Sequence, residues 1–249
     1  MSIGYKRNRV ALITGSARRL GKDIAVTAAE EGYDVVLNYS SSDESTVNKT
    51  VGLIEKCGVR VLPSKADVSN VDEIKSMFRT VEDEYGTLDL LINNAGIFEN
   101  VDLFDIDDKL FDEFMGVNLK GVLFCSIEAA KLMQKNDTEH CNIINIASLG
   151  GILNWTGYIP YCISKAGVIK FTQLAAKRLA PKILVNAIAP GTIVIENDEN
   201  SSVNQSEVSK YPLKKFGNSD DITSLIRYLI KDNKFITGHT FVVDGGRVL

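Results

Sequence analysis

The sequence is poor in the residues that hold small secreted folds together or bind metal ions. Its 249 residues include four cysteines and two histidines. No two cysteines lie at the spacing of zinc ligands, so we expect four reduced thiols and no metal site. A chain of this length buries enough surface to fold without disulfides.

Long apolar segments and an excess of positive charge are also missing. The basic start at residues 6–9 is followed by only four consecutive apolar residues, and no stretch approaches the roughly 20 that span a membrane. Acidic residues outnumber basic ones by 32 to 28, which argues against binding to a nucleic-acid backbone. We therefore expect a cytoplasmic protein that binds neither membranes nor nucleic acids.

The apolar residues occur in short runs that alternate with amphipathic stretches of helical length. The runs are β-branched and nearly continuous, which is typical of strands covered on both faces. This alternation predicts an α/β fold, Rossmann-like and doubly wound, with a mostly parallel seven-stranded sheet between helices. We expect one domain over residues 1–249. The predicted strands are residues 10–13, 35–37, 60–62, 88–92, 143–147, 183–189 and 240–243.

Ligands of such sheets bind beyond the carboxyl ends of the strands, so the residues after each run are the candidates for function. After the first run, Gly15 permits a tight turn and Gly21 opens a predicted helix at residues 22–31. The N-terminus of that helix offers N–H groups and a positive dipole end to a pyrophosphate. The turn is either a dinucleotide cradle or an ordinary strand–helix connection.

The segment after the second run bears on which dinucleotide would bind. Binders of NAD usually place an acidic residue there, on the ribose 2′-hydroxyl. Here the chain has Asn38, Tyr39 and Ser40, and two more serines precede the first acid. With Arg18 and Arg19 these groups could bind a 2′-phosphate, which favours NADP over NAD. NAD remains the alternative cofactor if one of these arginines only faces solvent.

Further candidates follow the later runs in a characteristic order. They are Asp67-Val68, Asn94-Ala95-Gly96, Ser148, Tyr161-x-x-x-Lys165 and Pro190-Gly191, with Ser148 thirteen residues before Tyr161. Each motif alone is common, and a Tyr-x-x-x-Lys pair is often just a surface contact. Taken in this order, they make nearly the whole chain resemble the short-chain dehydrogenase/reductase family.

The residues support a chemical reading of their own. Tyr161 and Lys165 share one face of a helix because they are four residues apart. A nearby cation should lower the tyrosine pKa from its usual value near 10. The hydroxyl could then protonate a carbonyl oxygen as hydride reaches the carbon, while Ser148 holds that oxygen.

The resemblance implies roles for further residues. Asn118 would hold a water in a proton relay, and Lys165 would also reach the nicotinamide ribose. Phe98 and Trp155 would flank the substrate beside Ser148 and Tyr161, unless they cap the sheet edge or anchor a loop. The implied cofactor contacts are Gly15, Arg18, Arg19, Leu20, Gly21, Asn38, Tyr39, Ser40, Asp67, Val68, Asn94, Ala95, Gly96, Tyr161, Lys165, Pro190, Gly191 and Ile193.

Three departures from the family pattern stand out. Arg19 replaces a glycine close to the phosphates, and the Arg-Leu-Gly turn and Phe98 resemble pteridine reductases, although those have an aspartate where this chain has Ser148. Ile195 stands where relatives often have a phosphate-binding threonine. The expected substrate lid, around residues 194–216, is rich in polar residues between 196 and 211.

Within the family, the segment 212–217 and the C-terminal Val-Asp-Gly-Gly most resemble 3-oxoacyl-(acyl-carrier-protein) reductases. This implies NADPH-dependent reduction of a carbonyl, first a 3-oxoacyl thioester on acyl carrier protein or coenzyme A. Another small ketone, a sugar, a pterin, a quinone or a double bond remains an alternative, as does a non-catalytic NADP-binding sensor or scaffold. We expect a homodimer or homotetramer formed through helices at residues 119–134 and 161–179.

Overall fold

The computed structural model describes residues 8–195 and 205–249, and residues 196–204 of the expected lid lie outside them. The strands are β1 Arg9–Ile13, β2 Tyr33–Tyr39, β3 Val61–Lys65, β4 Leu90–Asn93, β5 Cys141–Ile146, β6 Ile183–Pro190, β7 Ile193–Val194, β8 Gly217–Asn218 and β9 Thr240–Val243. The helices are α1 Arg19–Glu30, α2 Glu44–Glu55, α3 Val71–Tyr85, α4 Asp108–Met115, α5 Gly121–Met133, α6 Ile159–Leu179 and α7 Ser219–Lys231.

In the described residues, seven strands form one sheet in the order β3-β2-β1-β4-β5-β6-β9. All neighbouring pairs in it are parallel, and the short strands β7 and β8 pair separately. The predicted doubly wound α/β fold is therefore confirmed. Each of the seven predicted runs corresponds to a strand of the main sheet, with ends shifted by up to three residues.

Both faces of the sheet are covered, which explains why its strands are nearly continuous apolar runs. In β1, Val10 and Leu12 pack into the core that contains α3 and α5. Ala11 and Ile13 point to the opposite face and pack into the core that contains α1, α2 and α7. Successive side chains alternate between the two cores because a strand has a period of two residues.

The order of the strands determines where a ligand can bind. β1 pairs with β2 on one side and with β4 on the other, so the chain changes direction across the sheet at β1. A crevice opens at such a switch point, outside the carboxyl ends of the strands. Thr14, directly after β1, continues the contact between β1 and β4, since its N–H donates to the Ile92 carbonyl at 3.0 Å.

Two helices differ from the predicted ones. α1 begins at Arg19, three residues before the predicted start, so Gly21 lies within its first turn. The predicted helix at 119–134 is preceded by a π-helical turn over Gly116–Lys120, and α5 proper begins at Gly121. Such wider turns are rare and often occur at functional sites.

The described part of the chain has no helix that is both long and apolar enough to cross a membrane. Its histidine, cysteine, aspartate and glutamate side chains form no group of three or more that could hold a metal ion. The four cysteines are free thiols. Burial raises the pKa of Cys125 to about 12, so this thiol stays protonated and behaves as an apolar core residue.

Candidate active site

A cleft of about 580 Å³ lies along the carboxyl edge of the sheet. Its walls come from the turns after β1 to β6 and from the start of α6, which brings together most of the residues singled out in the sequence. Those that line it are Gly15, Arg18, Arg19, Leu20, Gly21, Asn38, Tyr39, Ser40, Asp67, Val68, Asn94, Ala95, Gly96, Phe98, Ser148, Tyr161, Lys165, Pro190, Gly191 and Ile193. Asn118 and Trp155 do not line it.

The turn between β1 and α1 is closed by tight contacts of its own backbone. Gly15 has a positive φ of 61°, and a Cβ there would lie 3.0 Å from the Ala95 Cα. A Cβ on Gly21 would lie 2.2 Å from the Gly15 carbonyl oxygen, so no side chain fits. Asn94 completes the closure, since its amide nitrogen donates to the carbonyls of Thr14 and Gly15.

Arg18 and Arg19 stand at the N-terminus of α1. Arg18 is extended and makes no side-chain cap, so it leaves the first N–H groups of the helix to another partner. Arg19 adopts a φ of +54°, a left-handed backbone that only glycine adopts freely. This conformation costs a non-glycine residue about 1 kcal/mol. Both side chains are exposed at the mouth of the cleft.

Asn38 differs from the sequence prediction. Its amide was expected to help bind a 2′-phosphate, but the residue is buried and its side chain bonds to the protein. The amide oxygen accepts from Gly15 N–H at 3.2 Å, and the nitrogen donates to the carbonyls of Ser64 and Ala66. The Asn38 side chain thus shapes the first turn, and the residue lines the cleft together with Tyr39 and the serines after it.

The Ser148, Tyr161 and Lys165 side chains meet at the end of β5. Ser148 is 6% exposed, accepts from Gly150 N–H at 3.0 Å and lines the cleft together with Tyr161. Lys165 is 4% exposed, and its Nζ donates to the Ile146 carbonyl at 2.8 Å. The same Nζ lies 5.8 Å from the centre of the Tyr161 ring.

Burial dominates the electrostatics of this group. It raises the pKa of Tyr161 to about 12, although the hydrogen bond with Ser148 acts in the opposite direction. It lowers the pKa of Lys165 to about 8. The sequence led us to expect a tyrosine pKa lowered by the neighbouring cation, and in this structure desolvation outweighs that attraction. Tyr161 therefore keeps its proton at neutral pH, and Lys165 titrates close to neutral pH.

Asn118 sits in the π-helical turn, fully buried, and its side chain is taken up by protein partners. Its amide nitrogen donates to the Ile97 carbonyl and to Ser164 Oγ, and its oxygen accepts from Ile97 N–H. Ser164 in turn donates to the Tyr161 carbonyl. The amide therefore ties the segment after β4 to the first turns of α6.

An aromatic cluster, made of Phe98, Trp155, Tyr158 and Tyr161, lines the cleft with two of its members, Phe98 and Tyr161. Phe98 stacks on Tyr158 with ring centres 4.5 Å apart and meets Tyr161 edge-on. Trp155 packs against the edge of the same Tyr158, 6.0 Å away. Phe98 and Trp155 were expected to flank a substrate together, but Tyr158 lies between them. Tyr158 was missed because its own segment offers no motif.

A glycine pair that the sequence analysis passed over makes this arrangement fit. Gly150 and Gly151 follow Ser148, and a Cβ on Gly150 would lie 2.9 Å from the Tyr161 ring. A Cβ on Gly151 would lie 2.8 Å from the Lys165 carbonyl carbon. The loop after β5 can approach α6 this closely only because both residues lack side chains. The sequence signal for this close approach was a pair of consecutive glycines that begins two residues after the candidate Ser148.

The fold and the site define a class of protein. A doubly wound sheet, a glycine turn before α1 and a serine–tyrosine–lysine group in one cleft describe an oxidoreductase acting on CH–OH or C=O groups. Residues 15–247 match a family model described as enoyl-(acyl carrier protein) reductase. The chain belongs to the short-chain dehydrogenase/reductase family.

Relatives agree with this assignment. A 3-oxoacyl-[acyl-carrier-protein] reductase, FabG, from Staphylococcus aureus is 37% identical over 245 residues, which cover 97% of this chain and 98% of the relative. The solved structure of acetoin dehydrogenase from Salmonella typhimurium is 28% identical with a TM-score of 0.88, covering 97% and 96% of the two chains. A short-chain dehydrogenase from Burkholderia cenocepacia, solved in complex with NADP, is 29% identical with the same TM-score, covering 97% and 98%.

The contact between Gly21 and the Gly15 carbonyl yields a stability prediction. Gly21→Ala forces a methyl group into a space 2.2 Å from that oxygen. We expect the free energy of unfolding to fall by about 1–3 kcal/mol, measured by chemical denaturation. The matched control is Gly52→Ala in α2, where a Cβ would have no neighbour within 4 Å. That change should be neutral or stabilising; equal effects of the two would contradict the packing argument.

Proposed function

We propose that this oxidoreductase uses NADPH to reduce the keto group of a 3-oxoacyl thioester to a hydroxyl. The observation that carries the proposal is the presence of Ser148 and Tyr161 together in the wall of the cleft, with Lys165 Nζ 5.8 Å from the centre of the Tyr161 ring. The name of the Staphylococcus aureus relative supplies the substrate class. A pure NADP-binding sensor or scaffold would have little use for two hydroxyl groups placed together at this point.

The residues of the cleft fit a dinucleotide with a 2′-phosphate. The glycine turn brings backbone close to the uncapped N-terminus of α1, which suits a pyrophosphate. Two exposed arginines, Arg18 and Arg19, line the same cleft as Tyr39 and Ser40. The lining residues at the end of β2, Asn38 to Ser42, include no acidic side chain, which favours NADPH over NADH, and the NADP complex of a structural relative agrees.

When bound, the cofactor supplies a hydride to the carbonyl carbon. The protein contributes two hydroxyl groups, those of Ser148 and Tyr161. Ser148 donates a hydrogen bond that holds the carbonyl oxygen, and Tyr161 gives its phenolic proton to that oxygen as it becomes an alcohol. A charged Lys165 stabilises the phenolate that remains and so makes the proton transfer easier. This stabilisation is stronger when water is excluded from the site. Solvent then returns a proton to Tyr161.

The substrate assignment has one direct competitor. The family description names an enoyl reductase, whose substrate is a carbon–carbon double bond. The two hydroxyl groups favour the keto substrate, because they can hold and protonate the oxygen that becomes the alcohol, whereas reduction of a C=C bond adds the proton to carbon. The enoyl thioester is therefore the second candidate, and both can be measured with the same protein.

Partners follow from the substrate. A 3-oxoacyl group is delivered on acyl carrier protein or coenzyme A, and the relatives named for this activity support the carrier protein. We also propose that copies of the chain associate as a homodimer or homotetramer through α5 and α6. Exposed apolar side chains on these helices support this: Ile127 on α5, with Ile163 and Leu174 on α6.

The substrate prediction is tested with purified protein and acetoacetyl-coenzyme A or acetoacetyl-acyl carrier protein. We expect NADPH oxidation on addition of either thioester, followed at the NADPH absorbance. Tyr161→Phe should lower kcat by about 10²–10⁴-fold, because the proton donor is lost while the ring remains. Tyr228→Phe, on the exposed side of α7, is the matched control and should keep full activity.

The alternatives are separated in the same assay. Turnover of crotonyl-coenzyme A with none of the acetoacetyl thioesters would replace the carbonyl substrate by the enoyl one. NADPH binding without turnover of either would contradict the substrate assignment and favour the binding protein.

The preference for NADPH is tested at the start of α1. Replacing the two arginines, as Arg18→Ala with Arg19→Gly, removes two charges near the expected 2′-phosphate. We expect NADPH affinity to fall by more than tenfold, since hydrogen bonds to charged groups contribute about 1.5–3 kcal/mol each. NADH affinity should change little. Arg79→Ala on α3, also exposed, controls for loss of charge; equal losses for both cofactors would contradict the assignment.

The pKa of Lys165 predicts a pH dependence. Burial lowers this pKa to about 8, so the cation is present below pH 8 and lost above it. Tyr161, with a pKa of about 12, stays protonated throughout. We expect kcat for reduction to fall as the pH rises through about 8, because phenolate stabilisation disappears. The profile should be measured from pH 6 to 10.

The control for this profile lies on the same helix. Lys170→Met removes an exposed cation and should keep the limb near pH 8. Lys165→Met should be slow at every pH and show no limb there. An unchanged limb in Lys165→Met would assign the titration to another group.

A further inference from the structure

The Tyr211 side chain holds the turn that follows β6. Its hydroxyl donates to Thr192 Oγ1 at 2.9 Å and accepts from Thr192 N–H at 3.1 Å. The residue is 4% exposed, and its ring packs edge-on against Phe216 with centres 5.3 Å apart. A buried tyrosine with both hydroxyl bonds to one residue restricts that residue to one position.

The turn that Tyr211 holds separates two cavities. Pro190, Gly191 and Ile193 line the large cleft. Thr192 and Tyr211 line a second cavity of about 300 Å³. Gly191 is packed between them, because a Cβ there would lie 3.3 Å from the Tyr211 ring and 3.1 Å from the Asp244 Cα. Tyr211 therefore supports one wall of the cleft from outside it.

The backbone of the turn is otherwise tied at its two ends. Gly191 N–H donates to the Val243 carbonyl at 2.8 Å, and the Thr192 carbonyl accepts from Gly217 N–H at 3.0 Å. These bonds use neither the N–H nor the hydroxyl of Thr192, and the Tyr211 hydroxyl is hydrogen-bonded to both. Without the tyrosine hydroxyl, both Thr192 groups would lose the partner they have in the described part of the chain.

The position of this turn says which end of a dinucleotide it faces. Strand order places β1 and β2, with Arg18 and Tyr39, on one side of the cleft. β5 and β6 lie on the other side, where Ile146 pairs with Ile188 next to Ser148. The turn after β6 is thus at the reacting end, and the arginines are at the phosphate end.

We propose that Tyr211 is a positioning residue for the nicotinamide end of the cofactor. Acting through Thr192, it sets the backbone of residues 191–193, whose Gly191 and Ile193 line the end of the cleft where the nicotinamide would be held. Tyr211 itself touches neither cofactor nor substrate. This inference rests on the proposed function, because it needs a nicotinamide cofactor in the cleft.

The test separates the two ends of the cofactor. Tyr211→Phe keeps the ring and removes only the hydroxyl. The full-length protein is titrated with NADPH and with 2′,5′-ADP, which has the phosphate end and lacks the nicotinamide. We expect NADPH affinity to fall about five- to tenfold and 2′,5′-ADP affinity to stay unchanged. The matched control, Tyr228→Phe, should change neither.

A second variant shows whether the effect passes through Thr192. Thr192→Val removes the hydroxyl partner, and combining it with Tyr211→Phe should weaken NADPH binding by less than the product of the single effects. Equal losses for NADPH and 2′,5′-ADP would overturn the proposal, since they indicate a general structural role. A lower unfolding temperature with unchanged NADPH affinity would overturn it too.

Failure of the proposed cofactor is recognised separately. If the wild-type protein prefers NADH, the NADPH assignment is wrong, and the same variants are titrated with NADH and 5′-ADP. A loss of NADH affinity alone would still support the positioning role of Tyr211. Equal affinities of wild type and Tyr211→Phe for NADH would overturn it.

Discussion

The hydrogen bond from Lys165 Nζ to the Ile146 carbonyl is the contact on which the site depends. It joins a helix cation to the last residue of β5 in a region almost without solvent. The contact is possible because Gly150 and Gly151 let the loop between the two elements lie directly against α6. With α6 held against this loop, the Tyr161 ring lies next to Ser148.

The same close packing decides the charges. Desolvation pushes Tyr161 and Lys165 towards their neutral forms, so the tyrosine keeps its proton at neutral pH and the lysine loses its charge near pH 8. A site of this kind suits reduction, in which a proton must be given to an oxygen. The polar links behind it, from Asn118 to Ile97 and Ser164, keep the segment after β4 in register with α6.

Much of this organisation could be predicted from local patterns. The β-branched runs indicated the strands, because each is buried on both faces, and the residues after them were the right places to look for a cleft. The ordered set from Gly15 to Pro190 indicated the family. Contacts between distant segments could not be predicted in this way. Neither Tyr158 between Phe98 and Trp155 nor the buried amide of Asn38 has a sequence signal, because their partners lie far along the chain.

The sequence by itself determined the fold class, through the periodicity of its apolar runs, and the family, through the resemblance carried by its ordered motifs. It also predicted Ser148, Tyr161 and Lys165 as the groups now proposed to react. Tertiary structure alone decided how those groups behave. Whether the cation or desolvation controls the Tyr161 pKa depends on how much water the packed elements exclude. Whether Arg19 bends left-handed, or Tyr211 reaches Thr192, depends on the path of the backbone between elements. Spacing along a sequence specifies neither, because burial and distance are properties of the folded chain.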